Sequence, residues 1–208
     1  MSAPESPAAE PVALLDAVCC IHFCAAGKAG LLLAILMKLN WEIQVPAEVS
    51  EEVLGKKGKY PALPAPWRRF IAHDRVRVLE KITIDRADQA AVRDTVARLR
   101  GTDAALALGA RKDLGEHLVI GHGIVLRDAG RRVYVLMDEQ TGSDRADAEG
   151  LGVIDIEQLL LLGHRLQVSG LQTRAEVKAV YDAIEPYGES LRPWKETRLR
   201  DDVAAKGS

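Results

Sequence analysis

Four acidic residues stand in settings that a metal site would use: Asp16 at the end of an apolar run, Glu52 on a helix that follows a strand, Glu116 in the tripeptide LGE at 114–116, and Asp138 after a β-rich run. Each has an ordinary role when taken singly. An Asp at a strand end is more often a turn residue or helix cap than a ligand, and a Glu on a helix is more often solvated. Chemistry requires that the four converge, so the elements that carry them decide the argument.

The run PVALL at 11–15 reads as a short buried strand that delivers Asp16 at its C-terminal end. Two apolar helical segments follow at 18–26 and 31–37, interrupted by Gly27 and Gly30, and EIQV at 42–45 is a second strand before Pro46. Pro46 opens a helix through residue 54, with Glu48, Glu51 and Glu52 near its positive end. A strand at 76–79, helices at 88–99, 102–111 and 113–126, a strand at 131–137, a short strand at 152–154 and a helix at 156–166 continue the pattern. Alternating strands and helices imply an α/β fold of three layers, α/β/α, around a mainly parallel central sheet, with sites at the C-terminal strand ends. Asp16 and Asp138 both belong at that edge.

Beyond about residue 170 the character changes. Thr173 and Glu176 form a capping box ahead of an apolar stripe at Ala175, Val177, Val180, Tyr181 and Ile184, and Pro186 stops the helix. The rest of the chain to 208 reads as a polar arm with Trp194 as its one large apolar anchor. The domain division expected is 10–170, with a C-terminal helix and arm over 171–208.

Composition narrows the function. With 28 Lys and Arg against 30 Asp and Glu the formal net charge is -2, so no global basic field holds nucleic acid and any contact must come from local patches. The three cysteines, Cys19, Cys20 and Cys24, lie in one apolar stretch, which excludes a disulfide scaffold and reads as buried small side chains. His117 and His122 are five apart, a poor spacing for zinc on one helix face. The opening MSAPESPAAEP lacks the basic and apolar regions of a signal peptide, and no apolar window reaches a membrane span, so a cytoplasmic protein free of the membrane is expected.

The order of these motifs resembles the PIN domain, the nuclease fold of VapC-type toxins and related RNA-cleaving proteins. The matching pieces are LLD at 14–16 followed by CIHF at 20–23, VPAEVSEEV at 45–53, DLGE at 113–116, VLMDE at 135–139, and GLGVI at 150–154 before an apolar helix. They cover about residues 10–170. The resemblance places the family's acids on Asp16, Glu52, Glu116 and Asp138, with Glu139 as the fallback for the last. It implies Mg²⁺- or Mn²⁺-dependent hydrolysis of RNA phosphodiesters. Clustered carboxylates stay ionised together only beside a cation, and hard oxygen ligands suit those two ions. Asp16, Glu116 and Asp138 are then the ligands, while Glu52 orients a water or a second ion. Ser143 and Asp144, in the run after Asp138, are candidate accessory groups. The sequence departs from the family pattern at Val18 and in HLVIGHG at 117–123.

An RNA partner needs a basic rim. Lys56, Lys57, Lys59, Arg68 and Arg69, interleaved with Tyr60, Trp67 and Phe70 in an irregular stretch over 56–72, combine charge with stacking faces, and Arg131 and Arg132 are further candidates for backbone contacts. The alternative is a solvated loop pinned by the same aromatics. The apolar helices at 17–38 and 173–184 are the expected surfaces for an antitoxin partner or a homo-oligomer. The rival reading is a catalytically degenerate PIN-like module that binds nucleic acid or protein without turnover.

Overall fold

The computed structural model describes residues 9–188 and 191–204. The first eight residues, on which the expectation of a chain without a signal peptide partly rests, and the last four of the C-terminal arm lie outside the described residues.

Five strands, β1 (Val12–Leu15), β2 (Glu42–Val45), β3 (Val76–Val78), β4 (Val133–Leu136) and β5 (Gly152–Ile154), form one sheet in the order β3-β2-β1-β4-β5. Every pairing is parallel, with Leu14 opposite Gln44 on one side and Val135 on the other. A parallel sheet covered on both faces reads as continuous apolar runs rather than alternation, and VALL in β1 is buried at all four positions. The order fixes where a site can form. The chain runs outward from β1 through β2 to β3, then returns to the other side of β1 for β4 and β5, so the direction reverses between β1 and β4. Loops leaving two such strands diverge and open a crevice at their carboxyl ends.

Helices α1 (Ala17–Ala25), α2 (Ala29–Lys38), α3 (Ala47–Gly55) and α4 (Pro64–Ile71) pack together on one side. On the other, α5 (Ala90–Arg100), α6 (Ala104–Gly109) and α7 (Leu114–Asp128) form a group in which α7 lies on β1 and β4, and α8 (Gln140–Ala148) covers β5. A small apolar cluster of Ile82, Val92, Val96, Ala107 and Leu118 ties the second group together. Helix α9 (Ile156–Arg165) rejoins the first side against α2, followed by α10 (Arg174–Ile184) and α11 (Arg198–Ala204). The three-layer α/β/α class read from the sequence is the fold observed.

Three expectations change. The stretch 56–72 is a turn followed by α4, and its Trp67 and Phe70 are core side chains stacked at 5.5 Å, with Trp67 Nε1 donating to Ser50 Oγ at 3.2 Å. Neither is free to stack on a base, because the amphipathic face that looked like a binding loop is a helix face turned inward. The described part of the C-terminal arm is packed: Leu199 and Val203 of α11 are buried with α10 in the same core as the strands, and Tyr181 donates its hydroxyl to the Arg192 carbonyl at 2.7 Å. Finally, α1 spends its apolar side chains inside the chain, since Cys19, Cys20, Ile21, Phe23 and Cys24 are all buried. That leaves α2, with Met37 exposed, as the outer apolar surface of this pair. No helix among the described residues is long and apolar enough to cross a membrane.

Candidate active site

Asp16 ends β1 and caps α1. Its carboxylate accepts the Val18 N–H at 3.1 Å, so the ordinary role of a strand-end Asp is filled. The residue is nevertheless buried, and desolvation pushes its pKa up to about 7 against the pull of the Val18 and Ala17 N–H groups, with Glu52 and Glu116 adding like-charge repulsion. One carboxylate therefore serves as cap and as a strained acid at the crevice.

The crevice is a cleft of about 840 Å³ whose walls include Asp16 and Val18 from the start of α1, Glu48, Glu51 and Glu52 from α3, Gly115 and Glu116 from α7, and Glu139 and Gly142 beyond β4. Glycine makes two of these approaches. A Cβ at Gly115 would stand 3.0 Å from Glu52 Oε2, and a Cβ at Gly142 would stand 3.0 Å from the Glu116 carboxylate, so the two acids are seated against bare helix backbone. Burial raises the pKa of both, and both are raised further by the charge of Glu139 and of Asp113. Glu48 is raised by burial too; its Oε1 accepts the Ile82 N–H at 3.0 Å, while Oε2 is buried without a hydrogen-bond partner among the described residues.

Helix α7 enters the cleft from a constrained corner. Asp113 takes φ of 54° ahead of the first turn, a left-handed backbone that Asp tolerates better than most residues. Arg100 fixes the approach by donating to the carbonyls of Ala107, Ala110 and Lys112 at 3.0, 2.9 and 2.8 Å. At the other wall, Arg145 of α8 pairs with Glu116 and donates to His117 Nε2 at 3.0 Å. A guanidinium has no acceptor, so Nε2 is the unprotonated nitrogen and Nδ1–H donates to the Asp113 carbonyl at 2.6 Å. His117 is thus a neutral strut, in keeping with a pKa lowered first by burial.

The sequence-derived acids divide. Asp16, Glu52, Glu116 and Glu139 line one cleft, whereas Asp138 does not: its carboxylate faces His22 Nδ1 at 3.7 Å and the Ile156 N–H at 3.5 Å, at the start of α9. Of the pair, Glu139, the fallback, is the one in the cleft lining. Ser143 and Asp144 ride on α8 outside the cleft lining, with Asp144 exposed and bonded to Gln140 at 2.5 Å. Among the proposed cations, Lys56 lines the cleft and Lys59 an adjoining cavity; Lys57, Arg68 and Arg69 are exposed elsewhere on that side. Arg131 and Arg132 precede β4 and so stand at the opposite edge of the sheet, where Arg131 holds Glu42 at 2.8 Å.

Several contributors were not read from the sequence. Lys81, Arg111 and Lys112 are also in the cleft wall, Lys81 bound to Glu51 at 2.8 Å, and Arg145 anchors Glu116. The glycine beside Glu116 and the glycine of TGS after β4 were the available signals for the tight approaches. The cysteines are buried and free, and burial raises all three thiols, so they carry no nucleophile. His122 is held near pKa 4 by burial.

Asp16, Glu52 and Glu116, each raised by burial and by neighbouring carboxylate charge, have the donor chemistry a hard divalent cation requires, and the Glu48 oxygen without a hydrogen-bond partner among the described residues adds to it. As the side chains stand, no three His, Cys, Asp or Glu among the described residues already close on one point. Fold and cleft together define a doubly wound parallel α/β protein with a carboxylate-lined crevice at its switch point. Comparison of the chain with protein-family models, curated proteins and solved structures finds no match.

Proposed function

We propose that the protein is a PIN-like nuclease that hydrolyses RNA phosphodiester bonds with Mg²⁺ or Mn²⁺ held by Asp16, Glu116 and Glu139. The observation that carries this reading is the meeting of Asp16, Glu52, Glu116 and Glu139, from four separate stretches of chain, in one cleft at the β1/β4 switch point. Asp16, Glu116 and Glu139 would hold the ion, which would supply neutralising charge for the carboxylates and the scissile phosphodiester and a lowered pKa for an attacking water. Glu52, seated against Gly115 on the facing wall, orients that water and takes its proton. Lys56, Arg111 and Lys112 neutralise the flanking phosphates, which supplies locally the positive charge a near-neutral chain lacks overall. Arg145 holds Glu116 in place from α8.

The test is cleavage of a labelled RNA pool in Mn²⁺, Mg²⁺ or EDTA by the wild type, Asp16→Asn and Glu139→Gln. Metal-dependent cutting that both substitutions abolish supports the reading; cutting that survives both sinks it. One observation favours the non-catalytic module instead: the Arg145 guanidinium already neutralises Glu116 from within the chain. That module would bind RNA equally in EDTA and after Asp16→Asn.

A further inference from the structure

The carboxylate cleft continues into a second cavity of about 430 Å³, lined by Val18, Ile21, His22, Glu52, Lys56, Lys59, Tyr60, Glu139 and Tyr187, and four of these, Val18, Glu52, Lys56 and Glu139, also line the cleft. The two spaces therefore share a wall that carries two of the cleft acids and one of its cations. The lining of this annex differs in kind. Tyr60 and Tyr187 meet edge to face at 5.6 Å between ring centroids, and Lys59 Nζ lies 5.2 Å from the centre of the Tyr60 ring. Both rings are half-buried, so each is held in place by the chain and still borders open space.

The tyrosines come from opposite ends of the sequence. Tyr60 follows the turn that closes α3, while Tyr187 sits in the turn after α10, beyond the stretch that resembles a nuclease. That second turn is seated on α1: a Cβ at Gly188 would stand 3.0 Å from the His22 ring and 2.6 Å from the Leu191 side chain, so glycine suits the close packing of this turn. The C-terminal segment thus completes a cavity that the 10–170 region leaves open. Aromatic faces beside lysines form the combination that grips unpaired bases, through stacking that tolerates any base and charge that tracks the backbone. A base can enter such a cavity only when it is free of a duplex partner.

We infer that the annex, with Tyr60 and Tyr187 as its aromatic wall, is a stacking subsite for an unpaired nucleobase next to the phosphate engaged in the carboxylate cleft. This rests on the nuclease reading for the position of the phosphate, but the subsite has a readout of its own. Short single-stranded RNA and DNA oligonucleotides carrying 2-aminopurine, and the same sequences as duplexes, are titrated with the full-length protein in EDTA or Ca²⁺, following anisotropy and fluorescence quenching. The wild type is expected to bind a single strand with quenching of the base and to bind the duplex at least about tenfold more weakly. Tyr60→Leu and Tyr187→Leu should each weaken binding about tenfold, the range of one lost stacking contact, and Tyr60→Phe, which keeps the ring, should not. Equal binding of duplex and single strand, Leu variants that bind like the wild type, or no binding of either strand overturns the inference. Binding by RNA alone, DNA alone or both upholds it and identifies the sugar. Metal-dependent cutting lost in Asp16→Asn but untouched by the tyrosine variants would keep the nuclease and remove the subsite. Tyrosine-dependent binding by a protein that cuts nothing would do the reverse.

Discussion

The two edges of the sheet treat their carboxylates in opposite ways. At the N-terminal edge, Glu42 of β2 accepts from Arg131 at 2.8 Å and from Gln44 at 2.7 Å, and these partners hold its pKa below the usual range. At the C-terminal edge, Asp16, Glu52 and Glu116 are all pushed up, burial being the first cause for each. At the C-terminal edge Arg145 pairs with Glu116 and Lys81 with Glu51, yet Asp16, Glu52 and Glu116 stay raised, so the crowding there is a local arrangement of side chains maintained against its electrostatic cost.

Asp16→Asn breaks the contrast most severely. Asparagine keeps the helix cap, because it ranks with aspartate at that position, but it removes the negative charge. Loss of cleavage on the order of a thousandfold is expected if Asp16 acts in catalysis. Stability should move the other way. The folded pKa of about 7 lies above the unfolded 3.8, so the folded state holds the proton more tightly. The resulting stability is complete below about pH 4 and is lost as pH rises through about 7, up to about 4 kcal/mol in the metal-free protein. The variant lacks that loss, and its melting temperature at pH 8 in EDTA should exceed the wild type's by about 5 °C or more. A wild type whose stability is flat between pH 4 and 8 would show that Asp16 is not strained.

The pair after β4 separates site from scaffold. Glu139→Gln should lower metal-dependent cleavage about a hundredfold with little change in melting temperature, since Glu139 is exposed at the cleft. Asp138→Asn should instead cost stability, about 1 kcal/mol, through its contacts with His22 and the start of α9, while cleavage keeps its metal response. The reverse pattern would return the ligand role to Asp138.

How much of this was legible follows from what each signal reports. The β1 run and Asp16 could be read directly, because a buried parallel strand is apolar throughout and ends where its polar residue begins. The capping box at Thr173 and Glu176 was equally plain, being a local pattern of two side chains, and it forms as read. Asp138 and Glu139 could not be told apart. Consecutive residues leaving a strand point to opposite sides, and which of them faces the cleft depends on how α8 and α9 pack. The proposed cations divide for a related reason. Arg131 is as basic as Lys56, but it precedes its strand, and the end of the strand on which a residue falls decides between the site and the far edge of the sheet. Trp67 and Phe70 left two readings open, because an inward helix face and a stacking platform have the same composition, and the structure shows them pinning the stretch to the core. The annex was out of reach altogether, since Tyr60 and Tyr187 are brought together only by the folding of α10 back onto α1.

Gly115→Ala asks whether the acids are held by close contact or merely lie nearby. The added methyl would meet Glu52 Oε2 at 3.0 Å, the movable end of a side chain, so the carboxylate can shift without disturbing the backbone. Alanine is also the better helix residue by about 1 kcal/mol. Melting temperature should therefore hold or rise by a few degrees, while displacement of Glu52 lowers cleavage about tenfold, a size typical of disturbed support around a metal site. A fall in both would mean that Gly115 serves packing rather than the cleft.

The smallest effect is expected at the opposite edge. Arg131→Ala removes an ion pair whose partners are about one-third exposed, 27% for the arginine and 33% for Glu42. Such pairs contribute about 0.2–1 kcal/mol. The Glu42 pKa is depressed, so that contribution is present above the unfolded value near 4.5 and fades as pH falls through the folded one. A drop in melting temperature of about 1–3 °C at pH 7, shrinking at pH 4, is the expected result. RNA affinity and its salt dependence should not change, because Arg131 and the carboxylate cleft lie at opposite ends of the strands. If Arg131→Ala weakened RNA binding and flattened its salt dependence, the polynucleotide would have to reach both edges, and the division of the sheet into a paired structural edge and a crowded reactive one would fail.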